Sequence, residues 1–311
     1  MKRLYLLLVC TCILFSACGG QQDNGIAELN AEKQEQVSEV NEKKTEEAYE
    51  KEEAEEIVSD ETVMEPVGEE KKIGGTLIND IEEIRACKYT KDHTSTNIFG
   101  LSYERQQIGS ITFLSSMPDK TEAGFDVSES KDGTVLAWFE KDNEGYYDVT
   151  IASDGLIQFP EDCIRMFAYC ENLKSIDFAH NVDTRNVARM TWMFEDDCTL
   201  TQLDLTGFNT VNVTNMFGTF MDCRSLTKLD LSSFNTMNVN SMREMFWHCE
   251  ALKTLDLSGF DFSSVEFAQY MYSDTFNLSV TVDKSKQGYT EYLSLEAVLN
   301  GAEDLKLVDI Q

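Results

Sequence analysis

Positive charge is scarce in this 311-residue chain: 26 Lys and Arg stand against 56 Asp and Glu, a formal charge of −30. Without a basic face to neutralise phosphates, nucleic acid is excluded as a partner. Electrostatic docking on anionic lipid is excluded on the same ground. Histidine is almost missing, with three in all. His93 falls in a loop, His180 in a turn and His248 beside Trp247, so they form no constellation. No Cys-x-x-Cys pair marks a zinc site. There is no phosphate loop, no Gly-x-Ser-x-Gly elbow and no Cys–His pair in a recognisable setting. Nothing marks a pocket for paired carboxylates of the kind that cleave glycosides. These absences point away from catalysis, and the chain reads as a non-enzyme without a cofactor.

Long apolar runs are also missing. The longest, Leu4 to Phe15, follows Lys2 and Arg3 and is shorter than the roughly 20 residues that span a bilayer. Small residues Ser16 and Ala17 then precede Cys18. That is a secretory signal over residues 1–17. Its end, FSAC, resembles a bacterial lipobox, with Phe15 where Leu is usual. The resemblance implies that Cys18 is diacylated and becomes the new N-terminus; the alternative is ordinary cleavage nearby. Two acyl chains on one cysteine suffice for stable attachment. The expectation is an extracytoplasmic protein, lipid-anchored to the cell membrane or cell surface, that meets the membrane only through that anchor.

Residues 18–72 are mostly Glu, Lys and Gln with single apolar residues and no heptad. Such a segment cannot bury enough surface to offset ordering entropy, and its glutamates repel. It reads as a disordered acidic tether, the rival being an acidic tail that binds a metal or partner. Residues 73–155 differ. TVLAWFE (Thr134 to Glu140) and YYDVTIAS (Tyr146 to Ser153) are rich in β-branched and aromatic residues, and the intervening KDNEG signals a turn. This predicts a small β-rich unit, with Trp138, Phe139, Tyr146 and Tyr147 as packing residues.

Residues 156–280 repeat. Ile176-Asp177, Leu203-Asp204, Leu229-Asp230 and Leu255-Asp256 are spaced by 203−176 = 27, 229−203 = 26 and 255−229 = 26. A fixed period of this size predicts stacked supersecondary units. In each unit, Leu-Asp-Leu alternates apolar, polar, apolar, which predicts a short strand with Asp outward. Val239, Met242, Met245, Phe246 and Cys249 follow at helical spacing, with Asn235-Thr236 placed to cap a helix. The predicted fold class is therefore α/β: a right-handed leucine-rich-repeat solenoid, parallel strands on the concave face and helices outside, with the β-rich N-terminal cap. Residues 281–311 are predicted to close the C-terminal end.

The units LDLSSFNTMNVNSMREMFWHCEAL and LDLTGFNTVNVTNMFGTFMDCRSL resemble the 26-residue repeat of BspA-like leucine-rich-repeat surface proteins, a bacterial family rich in lipoproteins. The similarity covers roughly Ile157 to Leu278 and is irregular near Val182 and after Phe260. It implies a surface-attached module that binds host or bacterial surface proteins or glycans, for adhesion or surface interaction. It carries no catalytic residues. The alternative function is a carbohydrate-active or transport-accessory envelope protein using the 73–155 unit.

Two residue columns attract attention. Cys170, Cys198, Cys223 and Cys249 recur with the repeat. Packed elements about 8–10 Å apart leave no room for a disulfide chain, so they read as buried space-fillers. Cys163 with Cys170 is the one pair to test for a bridge, and Cys87 is a candidate free thiol. Asp177, Asp204, Asp230 and Asp256, with the hydroxyls of Thr206, Ser232 and Ser258, form a predicted ligand-binding strip, with Ca²⁺ as a candidate aid. The rival role for these aspartates is a hydrogen bond to a neighbouring repeat. Like charges in register destabilise a sheet, so the strip needs an offset.

Overall fold

A computed structural model of the chain describes residues 72–79, 97–119, 123–283, 285 and 306–309. The signal sequence with Cys18, the tether up to residue 71, Cys87, His93 and most of 281–311 lie outside the described residues. The chain divides after Gly68 into two units, and all described residues lie in the second, Glu69–Gln311. No helix among them is long and apolar enough to cross a membrane.

Among the described residues, fifteen strands follow in chain order. The N-terminal part holds β1 (Ile73–Thr76), β2 (Asn97–Ile98), β3 (Leu101–Glu104), β4 (Ile108–Leu114), β5 (Phe125–Asp126), β6 (Val135–Lys141) and β7 (Tyr147–Ser153). The repeats hold β8 (Leu156–Gln158), β9 (Ser175–Asp177), β10 (Val182–Asp183), β11 (Gln202–Asp204), β12 (Lys228–Asp230) and β13 (Thr254–Asp256). The last two are β14 (Ser279–Val282) and β15 (Lys306–Asp309). A 3₁₀ turn, Arg105–Gln107, joins β3 to β4.

β6 and β7 form the hairpin expected around KDNEG, paired from Val135–Ser153 to Lys141–Tyr147. Asp142 closes it: its Oδ1 accepts the N–H groups of Glu144 and Tyr146, and Gly145 takes φ +94°. The hairpin lies inside a larger sheet, β5-β6-β7-β4-β9, with β5 at one edge and β9 at the other. Its last member, β9, is a repeat strand, so the N-terminal part and the repeats share a sheet. The core is shared too: Phe113 of β4 packs on Phe159, Phe167 and Phe178 at 5.3–6.2 Å.

The leucine-rich-repeat solenoid with outside helices is overturned. The strands fall into small separate sheets, and no α-helix occurs among the described residues. The repeat strands split into β4–β9, β11–β12 and β13–β14–β15 instead of one continuous parallel sheet. The second half of each repeat, expected as a helix, is a train of tight turns. Met193 N–H reaches Met190 O at 3.2 Å and Glu195 N–H reaches Trp192 O at 3.1 Å. Alternate N–H groups instead leave the repeat: those of Met190, Trp192, Phe194 and Asp196 donate to the carbonyls of Asn215, Phe217, Thr219 and Met221 at 2.8–3.0 Å. The same step recurs from Met216, Gly218, Phe220 and Asp222 to the next repeat. A helix needs those donors for its own i→i−4 bonds. It also forbids the left-handed residues that recur here, Trp192 and Asp196, Gly218 and Asp222, Glu244 and His248, Tyr270 and Asp274. The spacing that suggested a helix face comes from overlapping turns that bury Met190, Met193 and Phe194 in the same order.

The expected helix caps have another use. Thr184, Thr210 and Thr236 are buried, and each hydroxyl bonds the next repeat twice. Thr210 Oγ1 donates to Asn235 O at 2.9 Å and accepts Asn235 N–H at 2.8 Å; Thr184 and Thr236 do the same with Asn209 and Asp261. Inside the array the rings of Phe167, Phe194, Phe220, Phe246 and Tyr272 stack at 5.5–6.1 Å with interplanar angles of 2–13°.

Candidate functional site

The strand ends carry the exposed aspartates. Register aligns Thr150, Thr112 and Asp177 across β7, β4 and β9, then Asp204 with Asp230 across β11 and β12, and Asp256 with Thr281 across β13 and β14. A second row runs through Asp148, Ser110 and Ser175, then Gln202 with Lys228, and Thr254 with Ser279. Both rows lie opposite the buried leucines, because successive strand residues face opposite ways. All four aspartates are exposed. The outer surface of the N-terminal sheet and the outward residues of the repeats therefore share one polar character.

Each aspartate bends its own chain. Oδ1 of Asp177, Asp204, Asp230 and Asp256 accepts the N–H group two residues on, from Ala179, Thr206, Ser232 and Ser258, at 2.9–3.0 Å. Thr206 adds its hydroxyl to Asp204 at 2.7 Å. These are Asx turns that end the strands. Among the described residues, none of these aspartates bonds a neighbouring repeat. The backbone N–H of Thr206, then its hydroxyl, hold Asp204 below the usual carboxylate range. Ser232, by hydroxyl and then N–H, does the same for Asp230. Oδ2 of each of the four takes no hydrogen bond from a described residue. Of the neighbouring lysines, Lys174 pairs with Glu144 and Lys253 donates to the carbonyls of Glu250 and Phe276. Lys228 is the cation whose charge lowers both Asp204 and Asp230.

A small cleft opens between Asp177 and Asp204, bounded by His180, Gly207, Phe178 and Phe208. Ala179 and His180 take φ +44° and +54°, which turns the imidazole across Gly207. A Cβ at Gly207 would stand 2.8 Å from His180 Nδ1, so a larger residue there would have to displace the ring. The predicted strip is thus assembled in part: Asp177 and Asp204 meet at the cleft, Asp204 and Asp230 pair in register, and Asp256 pairs with Thr281 in another sheet. Among the described residues, no group of three or more His, Cys, Asp or Glu side chains has the geometry to hold a metal ion.

The five cysteines among the described residues are free thiols, Cys163 and Cys170 included. Cys223 and Cys249 are buried, and their Sγ–H groups donate to Phe194 O and Phe220 O at 3.1 Å. Burial pushes the thiols of Cys163, Cys170, Cys223 and Cys249 up, away from reactivity.

A second ionisable column escaped the sequence reading. Asp196, Asp222, His248 and Asp274 occupy the second left-handed position of successive repeats. His248 Nδ1 lies 2.9 Å from Asp222 Oδ1, and Nε2 lies 3.1 Å from Asp274 Oδ2. Burial alone would lower His248; the bonds to Asp222 and Asp274 outweigh it and raise the group to about 9. Trp247 Nε1–H donates to Asp274 at 2.7 Å, and Arg224 clasps Asp222 at 2.7 Å. Asp196 is raised to about 6, mainly by burial, against the thiol of Cys198 that donates to it at 2.8 Å. The 26-residue period would have found this column, one residue ahead of Cys223 and Cys249, had polar residues been aligned as the leucines were.

Residues 161–285 match the family model described as "Mycoplasma protein of unknown function, DUF285". The match covers the repeats and less than half of the chain. No curated protein and no solved structure matches.

Proposed function

We propose that the chain is a lipid-anchored surface protein, tethered through Cys18 outside the cytoplasm, whose repeat array binds protein or glycan ligands of host or bacterial surfaces. The observation that carries this reading is the pair of outward rows on the strand ends. Asp204 and Asp230 stand side by side, each with Oδ1 engaged in its own turn and Oδ2 turned to whatever approaches. Preset carboxylates next to the hydroxyls of Thr206, Ser232 and Ser258 suit hydrogen-bonding ligands, because no side chain must be reordered on binding. The likeness of the repeats to BspA-like surface proteins supports the same reading, as does the lipobox-like FSAC.

The test is binding of the purified chain to immobilised matrix proteins and to a glycan array, with the D204N/D230N double variant beside it. At least a tenfold loss of affinity in a variant with unchanged circular dichroism is expected. Binding that survives the double change would remove the strip from the site. A chelator arm decides whether Ca²⁺ contributes.

A further inference from the structure

One buried column has a member of a different kind. Cys170, Asp197, Cys223, Cys249 and Thr275 are related by steps of 197−170 = 27, 223−197 = 26, 249−223 = 26 and 275−249 = 26. All five are buried, each at 1% exposure or less. The cysteines and the threonine each carry one proton on the side-chain heteroatom. Cys223 and Cys249 give theirs to the carbonyls of Phe194 and Phe220 in the preceding repeat. Thr275 gives its own to Tyr272 O at 2.6 Å. Ionised, Asp197 would be the exception, with no proton to give.

Its surroundings favour the proton. Asp197 Oδ1 accepts the N–H of Cys170 at 3.1 Å, which ties the second repeat to the first. Oδ2 is buried and takes no donor among the described residues. The repeat relation makes Phe167 O the carbonyl expected opposite Asp197, as Phe194 O is opposite Cys223 (194−167 = 27). A carboxylate oxygen against a carbonyl repels; a carboxylic acid donates to it. The charged groups that face Asp197 are Arg105 from the 3₁₀ turn, and Glu195 and Asp196 beside it. Cys170 and Cys223 face it from the repeats on either side. Arg105 already donates to the carbonyls of Arg165, Met166 and Ala168 at 3.0 Å, and Glu195 is paired with Arg165 at 3.0 Å.

We propose that Asp197 is held as a neutral carboxylic acid at neutral pH and serves as a proton-dependent latch between the first two repeats. Burial pushes the group well above the ordinary carboxylate range, opposed by the Cys170 N–H and Arg105 and reinforced by Asp196 and Glu195. The sign follows from a folded value above the unfolded one. The latch is fully present below about pH 4, the ordinary value for aspartate, and is lost as pH rises through the folded value.

Urea unfolding of the full chain and of the D197N variant, across pH, tests this. Asparagine keeps an acceptor for Cys170 and a donor for Phe167 O, and does not titrate. The wild-type unfolding constant is expected to grow relative to that of D197N as pH rises, by up to tenfold per pH unit. Parallel pH profiles would overturn the latch. Should D197N not fold, infrared spectra of the wild type and of D197C decide. A protonated-carboxyl band present at neutral pH and lost in D197C supports the latch, and no such band overturns it.

Discussion

At the scale of single residues, repetition places one hydrogen-bonding device at each turn of the array. Thr210 shows it most plainly, since one hydroxyl both donates to and accepts from the backbone of Asn235. Thr210→Val keeps the shape and removes both bonds, stranding buried backbone groups. A loss of about 2–3 kcal/mol in urea unfolding is expected. His248 is a clasp between two flanking repeats. Its folded value of about 9 lies above the ordinary 6.5, so its contribution is whole below pH 6.5 and fades as pH rises through 9. His248→Ala should cost about 1–3 kcal/mol at pH 6 and much less at pH 10. Equal losses at both pH values would show that the clasp is packing and not charge. The outward Asp of Leu-Asp-Leu was legible from alternation alone. Its Asx turn was not, because that bond depends on where the strand stops.

At the scale of elements, turn trains replace the expected helices, and Gly218 marks the difference. It takes φ +57°, and a Cβ there would lie 2.2 Å from the Trp192 ring of the preceding repeat. Gly218→Ala should therefore destabilise by about 2–4 kcal/mol, from a strained backbone and an overfilled contact. In an ordinary helix the same change would stabilise, so the sign of the shift in melting temperature separates the two architectures. The Leu-Asp-Leu strands β11, β12 and β13, the β6–β7 hairpin and the buried Met242, Met245 and Phe246 were legible in the sequence. Their spacing fits a helix face and a turn train equally. What decides between them is where alternate N–H groups find acceptors, and those acceptors lie 25 residues away. Single-sequence periodicity cannot register a partner that far off. The rows on the strand ends were half legible: the aspartates were named, while Thr112, Ser110 and Asp148 of the N-terminal sheet were not, because nothing in β4 or β7 repeats.

At the scale of the whole described unit, the N-terminal part supplies what the first repeat lacks. The first repeat has no earlier neighbour to donate to its carbonyls. Asn79 donates to Asp162 O and Ile164 O at 3.0–3.1 Å, and Arg105 covers those of Arg165, Met166 and Ala168. β4 supplies the sheet edge that pairs with β9. A chain cut to residues 156–311 is therefore expected to lack a cooperative melting transition, while the longer fragment 69–311 melts in one step. Calorimetry of the two fragments checks this. Arg105→Met, which keeps the volume and removes the donors, should cost about 2–4 kcal/mol.

The stack of Phe167, Phe194, Phe220, Phe246 and Tyr272 has a consequence for how such a chain can change its length. Each ring meets a near-copy of itself, so the column is indifferent to how many members it has. Excising residues 209–234 brings equivalent positions back into alignment. Removing 25 or 27 residues slides the following leucines, threonines and rings out of alignment together. Gain or loss of DNA in whole 78-nucleotide blocks (26 × 3) is thus the tolerated kind of rearrangement, and recombination between the copies is a ready source of longer and shorter variants.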